Sequence, residues 1–459
     1  MENLKCEEVL KAVGGTLISG EIDTVFYNIS TDSRNIKEGD LFVPLIGERF
    51  DGHDYIQSSL EKGAFGSFTQ KETEPFSGKV LIKVSDTLKA LRDLAAYYRQ
   101  KYKIPFVGIT GSVGKTSTKE MAAAVLSKGF NVLKTQGNFN NEIGVPLTIF
   151  NLDKSHEAAV VEMGMSGFGE ISRLASIVKP DIAIITNIGV SHIEKLGSKN
   201  NILKAKMEIF EGLNEKGLAI LNGDDKLLYG LNNLLKFRTV FYGTEEGLDY
   251  RAYNVESLGE KGSTFDIEIK GKEYRVRIPV PGIHNVYNAL AGIAAGIELG
   301  IPPEKIVEGI EEFSPGKMRL NILNYNGLKI INDAYNASPQ SMEAAIDVLK
   351  DISGQGRTFA VLGDMLELGE ISKSAHMELG RYAVAKGIDY IMAVGELGKN
   401  IAYGAIEAGA KEERVFEFKD NTDAARFLKE FLKCGDVLLV KGSRGMKMEE
   451  IVNILTSQA

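Results

Sequence analysis

The chain has 459 residues, 44% hydrophobic and 25% charged, enough apolar mass for roughly two to four folded domains. A net charge of −8 leaves no basic footprint for nucleic acid or an anionic membrane surface. No uncharged apolar run approaches a membrane span, MENLKCEEVLKAVGG is no signal peptide, and the two cysteines, Cys6 and Cys434, form no metal-ligand spacing. These features predict a cytoplasmic enzyme with both thiols free and buried.

Residues 1–84 read as a small α+β unit: an opening helix, short strands such as 40–45, and many turns. Asp86 is a plausible N-cap for a helix with Leu88, Leu91, Leu94, Ala95 and Tyr98 at helical spacing. An apolar strand at 104–109 then enters Thr110-Gly111-Ser112-Val113-Gly114-Lys115-Thr116-Ser117-Thr118. A helix follows, with Met121, Val125 and Leu126 on one side and a stop at Gly129. Glycines 111 and 114 let several N–H groups turn into one concavity at the positive end of that helix, which suits phosphates. Lys115 would reach the β- and γ-phosphates, and the Thr116 hydroxyl would ligate Mg²⁺. The plainer alternative is a glycine-rich turn with a chance lysine; the strand–turn–helix context favours a nucleoside triphosphate site. The first glycine of G-x-x-x-x-G-K-[ST] would fall at Ile109, so the loop is shortened, which argues against a GTPase switch or a motor ATPase.

Beyond the loop, strands at 158–163, 181–188 and 218–222 alternate with helices, and a helix at 286–299 closes the block. That alternation predicts a doubly wound, mainly parallel sheet over 85–313. Phe313-Ser314-Pro315-Gly316 is a breaker cluster, and 313–317 reads as a hinge. Strands at 329–332, 357–363, 390–395 and 436–441 then predict a second, Rossmann-like α/β domain over 314–459, its first helix opened by Ser338-Pro339. It has no phosphate loop, so it would complete the nucleotide site from the other side or hold a second substrate.

Glu162 ends an apolar strand and His192 follows the end of another, at the edge where open α/β sheets bind ligands, and both are candidates for Mg²⁺ beside the phosphates. Either, alone, could be a solvated strand-end residue; Lys206, alone, would be a helix-surface lysine.

At this point the chain resembles the Mur ligase family over nearly its whole length. The residues that carry the resemblance are Ser30-Thr31-Asp32-Ser33-Arg34, Phe42-Val43-Pro44, Phe50-Asp51-Gly52-His53, the phosphate loop, Gly137-Asn138-Phe139-Asn140-Asn141-Glu142-Ile143-Gly144, and Glu162-Met163-Gly164. It continues through Asn187-Ile188-Gly189 with His192, Ala205-Lys206-Met207-Glu208-Ile209-Phe210, Gly282-Ile283-His284-Asn285, Asn332-Asp333-Ala334-Tyr335-Asn336-Ala337, Gly363-Asp364-Met365-Leu366-Glu367-Leu368-Gly369 and Lys441-Gly442-Ser443-Arg444. Met207 departs from the family's usual glycine. The Gly-Asn-x-Asn-Asn, Gly-Asp-Met-Leu-Glu-Leu-Gly and Lys-Gly-Ser-Arg blocks point, within the family, to a ligase that joins D-alanyl-D-alanine to a UDP-N-acetylmuramoyl-tripeptide.

The resemblance implies three α/β domains and an ATP-dependent, ADP-forming amide ligation in peptidoglycan precursor synthesis. It implies a nucleotide site of Gly111, Ser112, Val113, Gly114, Lys115, Thr116, Ser117, Asn285, Arg319 and Asp333. Lys115 would neutralise the γ-phosphate and Arg319 would reach the phosphates; Asn285 would lie against adenine and Asp333 would hold the ribose. Thr116 and Glu162 would hold one Mg²⁺, and His192 with a CO₂-derived carbamate on Lys206 would serve a second. Asp32, Ser33, Arg34, Asp51, Asn138 and Asn141 would bind the sugar nucleotide; for Asp32–Arg34 the alternative is an Asx-type turn with a surface arginine. A monomer is expected. A sister ligase adding the third peptide residue, a folate polyglutamylating enzyme and a non-ligating ATP switch remain open alternatives.

Overall fold

The computed structural model describes residues 1–316 and 318–457; Lys317, the last residue of the expected hinge, lies outside the described residues. Three α/β sheets succeed one another along the chain. The first has five strands in the order Thr16–Ser19, Val80–Lys83, Gly66–Thr69, Asp40–Phe42, Asn28–Ser30, with only the first pair antiparallel. Leu4–Lys5 pairs separately with Val25–Phe26.

The middle sheet has nine strands, ordered Lys272–Ile278, Ser263–Ile269, Tyr250–Ser257, Arg238–Gly243, Leu218–Asn222, Ile182–Ile185, Phe106–Thr110, Ala158–Glu162, Val132–Lys134. All five residues of Phe106–Thr110 are buried, as a parallel strand covered on both faces requires. Strand order reverses here: the chain passes from Phe106–Thr110 to Val132–Lys134 at the edge, returns to Ala158–Glu162 between the two, and then continues on the other side of Phe106–Thr110 with Ile182–Ile185. Such a switch point opens a crevice at the strands' carboxyl ends. Register does the rest. Glu162 pairs with Ile109 and Ile185 with Thr110, so the carboxylate and Thr186 arrive level with the start of the phosphate loop.

The last sheet has six strands, ordered Asn321–Tyr325, Leu328–Asn332, Val437–Lys441, Thr358–Gly363, Tyr390–Val394, Val415–Phe418, parallel apart from the first pair. The blocks beginning at Asn332, Gly363 and Lys441 therefore emerge side by side at one sheet edge.

The N-cap at Asp86 is present: its carboxylate accepts the Lys89 N–H at 2.9 Å and starts the helix Thr87–Arg99. Leu91, Leu94, Ala95 and Tyr98 on this helix are buried in one continuous apolar core that joins the first sheet to a face of the middle sheet. Burying each of the two leucines is worth ~1.5–3 kcal/mol, so this shared core ties the two units firmly. A separate core lies between the opposite face and the helices Lys115–Leu126 and His284–Glu298.

Some expectations shift. The antiparallel hairpins over 250–278 that extend the middle sheet have no counterpart in the sequence reading. Of the two free thiols only Cys6 is buried; Cys434 is exposed because it sits in the turn ahead of Val437–Lys441, beside Gly435 at φ 94°. Among the described residues no helix is long and apolar enough to cross a membrane.

Candidate active site

A cleft of about 820 Å³ opens at the switch point and runs between the middle and last sheets. Ser112–Ser117, Asn138, Asn141, Glu162, His192, Asn285, Arg319 and Asp333 all line it.

The phosphate loop has the expected backbone. Gly111 has φ 152°, and a Cβ there would sit 1.8 Å from Thr186 Oγ1, so no other residue fits. Gly114, at φ 83°, caps the helix Lys115–Leu126. Asn187 braces the loop from the neighbouring strand end: its Oδ1 accepts the Val113 N–H at 3.0 Å and its Nδ2 donates to Val113 O at 2.9 Å. Lys115 Nζ donates to the Gly111 and Ser112 carbonyls at 2.9 and 3.3 Å. Burial holds its pKa below the ordinary lysine value, Glu162 opposes that, and Arg319 adds to it.

Glu162 is 1% exposed. Its N–H donates to Thr135 Oγ1 at 3.0 Å, and its Oε1 accepts Asn140 Nδ2 at 2.8 Å. Oε2 is buried and has no hydrogen-bond partner among the described residues. An uncompensated buried carboxylate oxygen is costly, and a hard cation would satisfy it. Thr116, whose hydroxyl is a second oxygen donor, lines the same cleft. Among the described residues no cluster of three His, Cys, Asp or Glu forms a closed cage. The donor set therefore suits a cation that fills its shell with water and substrate phosphate, the habit of Mg²⁺.

Arg319 arrives from the last unit. Its Nη2 donates to Thr116 Oγ1 at 2.9 Å, and its guanidinium lies 4.0 Å from the Tyr335 ring centroid. Gln340, on the helix Pro339–Ile352, closes the same seam, lying 3.0 Å from where a Cβ on Gly189 would stand.

Lys206, on the helix Lys199–Met207, is 1% exposed and does not line the cleft. No hydrogen bond or ion pair to its amine forms among the described residues. Burial, then the nearby Lys115 charge, pushes its pKa well below the ordinary value of 10.5. The neutral amine is the form that combines with CO₂, so this residue fits a carbamate.

Other assignments change in detail. Asp333 Oδ2 meets Lys441 Nζ at 2.5 Å, and Oδ1 accepts the Leu320 N–H at 3.1 Å. Asn285 Nδ2 donates to Pro281 O at 2.8 Å, and its Oδ1 accepts Asn288 Nδ2 at 3.0 Å. Asn141 Oδ1 accepts the Gly144 N–H at 2.8 Å at the start of the helix Gly144–Ile149, and the asparagine that reaches Glu162 is its neighbour Asn140. Asn140 and Thr135 were not singled out from sequence; Thr135 meets Glu162 just past the end of Val132–Lys134, and the path of the following loop brings in Asn140.

Asp32, Ser33, Arg34 and Asp51 stand on the first unit and do not line this cleft. Asp32 forms the Asx-type turn, accepting the Arg34 N–H at 3.0 Å, with a bidentate pair to the exposed guanidinium at 2.8 and 2.9 Å. The Arg34 hydrogen bond holds the Asp32 pKa down to about 2. Asp51 pairs with Lys71 at 2.6 Å and with His53 Nδ1 at 2.7 Å.

Fold and site together define a phosphate-loop α/β protein whose nucleotide cleft is finished by a second α/β domain. Three family models match: "Mur ligase family, catalytic domain" over 25–99, "Mur ligase middle domain" over 109–296, and "Mur ligase, glutamate ligase domain" over 318–444. The chain is 43% identical to the UDP-N-acetylmuramoyl-tripeptide–D-alanyl-D-alanine ligase of Bacillus subtilis over 98% of this chain and 97% of that one. MurF from Acinetobacter baumannii superposes with a TM-score of 0.92 at 33% identity, covering 100% of both chains. MurF ligase from Thermotoga maritima, solved in complex with ADP, superposes with a TM-score of 0.83 at 30% identity over 94% of this chain and 97% of that chain. The chain belongs to the Mur ligase family.

Proposed function

We propose that this protein joins D-alanyl-D-alanine to the terminal carboxylate of UDP-N-acetylmuramoyl-tripeptide, with conversion of ATP to ADP and phosphate, in the cytoplasm and as a monomer. The domains would be 1–84 for the UDP end of the substrate, 85–313 for ATP, and 314–459 for the dipeptide and the far side of the ATP site. The observation that carries this reading is Arg319 meeting Thr116 across the cleft at 2.9 Å, which puts a cation from one domain on the phosphate loop of another.

A carboxylate must first be given a leaving group. Its oxygen attacks the γ-phosphorus, ADP departs, and an acyl phosphate forms. The dipeptide amine then attacks the acyl carbon, loses a proton, and phosphate leaves. Lys115 and Arg319 would face the charge on the transferring group, and the loop N–H groups would hold the β-phosphate. Thr116 and Glu162 would hold one Mg²⁺, and His192 with carbamylated Lys206 a second; bound there, the metal neutralises phosphate charge and aligns the γ-group. Asn140 and Thr135 would fix Glu162, and Asn285 and Asp333 would take adenine and ribose. Asp32, Ser33, Arg34 and Asp51 would bind the uridine diphosphate end, and Asn138 and Asn141 the peptide side. The seam at Arg319 and Gln340 would limit water at the acyl phosphate and so slow its hydrolysis.

Hydroxylamine supplied with ATP and UDP-tripeptide, and no dipeptide, is expected to give a hydroxamate together with ADP and phosphate. Release of AMP in its place would show that activation runs through an adenylate and would overturn this mechanism.

A further inference from the structure

Two sequence blocks, Gly363–Gly369 and Lys441–Arg444, have so far no part in the chemistry. Both leave the last sheet at the same edge, and they are locked together. The Leu366 N–H donates to Ser443 Oγ at 2.9 Å, and the Ser443 N–H donates to Asp364 O at 3.0 Å. The Met365 N–H donates to Nε2 of the buried His376 at 2.9 Å, while His376 Nδ1 is held by Ser372 O at 2.7 Å. Asp364 Oδ1 accepts the Gly398 N–H at 2.7 Å. This rigid loop presents Glu367 to the middle domain. Glu367 Oε2 lies 2.5 Å from Nδ1 of His192. Both residues hold left-handed backbones, φ 63° and 62°, a strained pairing for non-glycine residues that is concentrated at functional sites. Gly369 makes the approach possible: a Cβ there would stand 3.1 Å from Glu194 Cβ. The Glu367 side chain is 55% exposed, so as a surface ion pair it would add at most ~1 kcal/mol to stability. Its use must lie elsewhere.

We infer that Glu367 is a positioning residue for His192: it accepts the Nδ1 proton, so that Nε2 is left as the bare nitrogen for a ligand, and it does so only when the last domain is seated. Imidazoles that bind metals are commonly oriented by a carboxylate on the other ring nitrogen, and removing that partner typically costs ~10–100-fold in metal affinity. Here the carboxylate comes from a different domain, so seating of the dipeptide-side domain and preparation of the histidine are one event. In this structure the contact is close but off-line, leaving Nδ1 without a formed hydrogen bond, as is usual before substrate tightens a site.

The inference rests on the reading of His192 as a metal ligand, and the two are tested apart. ¹⁵N-histidine-labelled protein reports the tautomer of each of the 5 histidines, with His192 assigned by its loss in His192→Ala. Glu367→Gly suits the left-handed backbone and removes the carboxylate; Glu367→Gln keeps an acceptor oxygen. Wild type and Glu367→Gln are expected to carry the proton on Nδ1, and Glu367→Gly is expected to lose that preference. Mn²⁺ titration with ADP, followed by electron paramagnetic resonance, is expected to show ~10-fold or weaker binding in Glu367→Gly and smaller loss in Glu367→Gln. An unchanged His192 tautomer in Glu367→Gly overturns the inference. Wild type that takes up no Mn²⁺ overturns the metal reading of His192, and the tautomer shift still decides the role of Glu367.

Discussion

Lys115→Ala is expected to lower kcat/KM by ~10²–10³-fold or more while leaving the fold intact. Among the described residues the side chain bonds only to the carbonyls of Gly111 and Ser112, so its loss uncovers little that the helix Lys115–Leu126 needs. What disappears is a fixed cation at the loop mouth, held beside Glu162 and opposite Arg319. Charge placed in advance where a transferring phosphoryl group gathers its own is the largest single contribution most such sites make. Circular dichroism and a melting curve check the fold, and phosphate release checks the rate. Near wild-type turnover in a folded variant would remove the phosphate-loop reading.

The second large effect is expected at Lys206. An ammonium buried to 1% exposure, with no carboxylate partner among the described residues, is expensive, and the Lys115 charge makes it more so. The native state therefore binds fewer protons here than the unfolded chain. By linkage, the stability contribution of this group is fully present above the unfolded value of 10.5 and falls away as pH drops toward its lower native pKa. Burial thus favours the neutral amine, the form that CO₂ would turn into a carboxylate-like ligand. Activity should fall in CO₂-depleted buffer and return with bicarbonate, and Lys206→Met, which keeps the volume, should lose activity that bicarbonate does not restore. Wild-type activity indifferent to CO₂ would count against the carbamate.

The phosphate loop was legible because glycines, lysine and hydroxyl residues are contiguous and sit between a strand and a helix that announce themselves by periodicity. Glu162 and His192 were legible from position as candidates, since a polar residue beyond an apolar strand falls at the ligand edge of a parallel sheet; the roles proposed for them came from the family resemblance. Lys206 was legible only through its family block: its helix reads as solvated, and packing alone shows that the side chain is buried. Asn140 was hidden among neighbouring asparagines, because which one caps a helix and which one reaches Glu162 depends on where the loop turns. Glu367 was hidden for a further reason: its contact crosses two domains and about 175 positions, by subtraction of 192 from 367, and no local pattern encodes such a meeting. The hairpins over 250–278 escaped because exposed antiparallel strands carry charged residues on one face and leave no continuous apolar run.

The most direct test of the whole account is a ligation assay with purified protein, ATP and Mg²⁺, UDP-N-acetylmuramoyl-tripeptide in its lysine and diaminopimelate forms, and D-alanyl-D-alanine, read by mass spectrometry and by phosphate release. The expected result is UDP-N-acetylmuramoyl-pentapeptide formed in step with phosphate, strictly dependent on both the tripeptide and the dipeptide. Phosphate release that proceeds without the dipeptide and yields no pentapeptide from either form would contradict it.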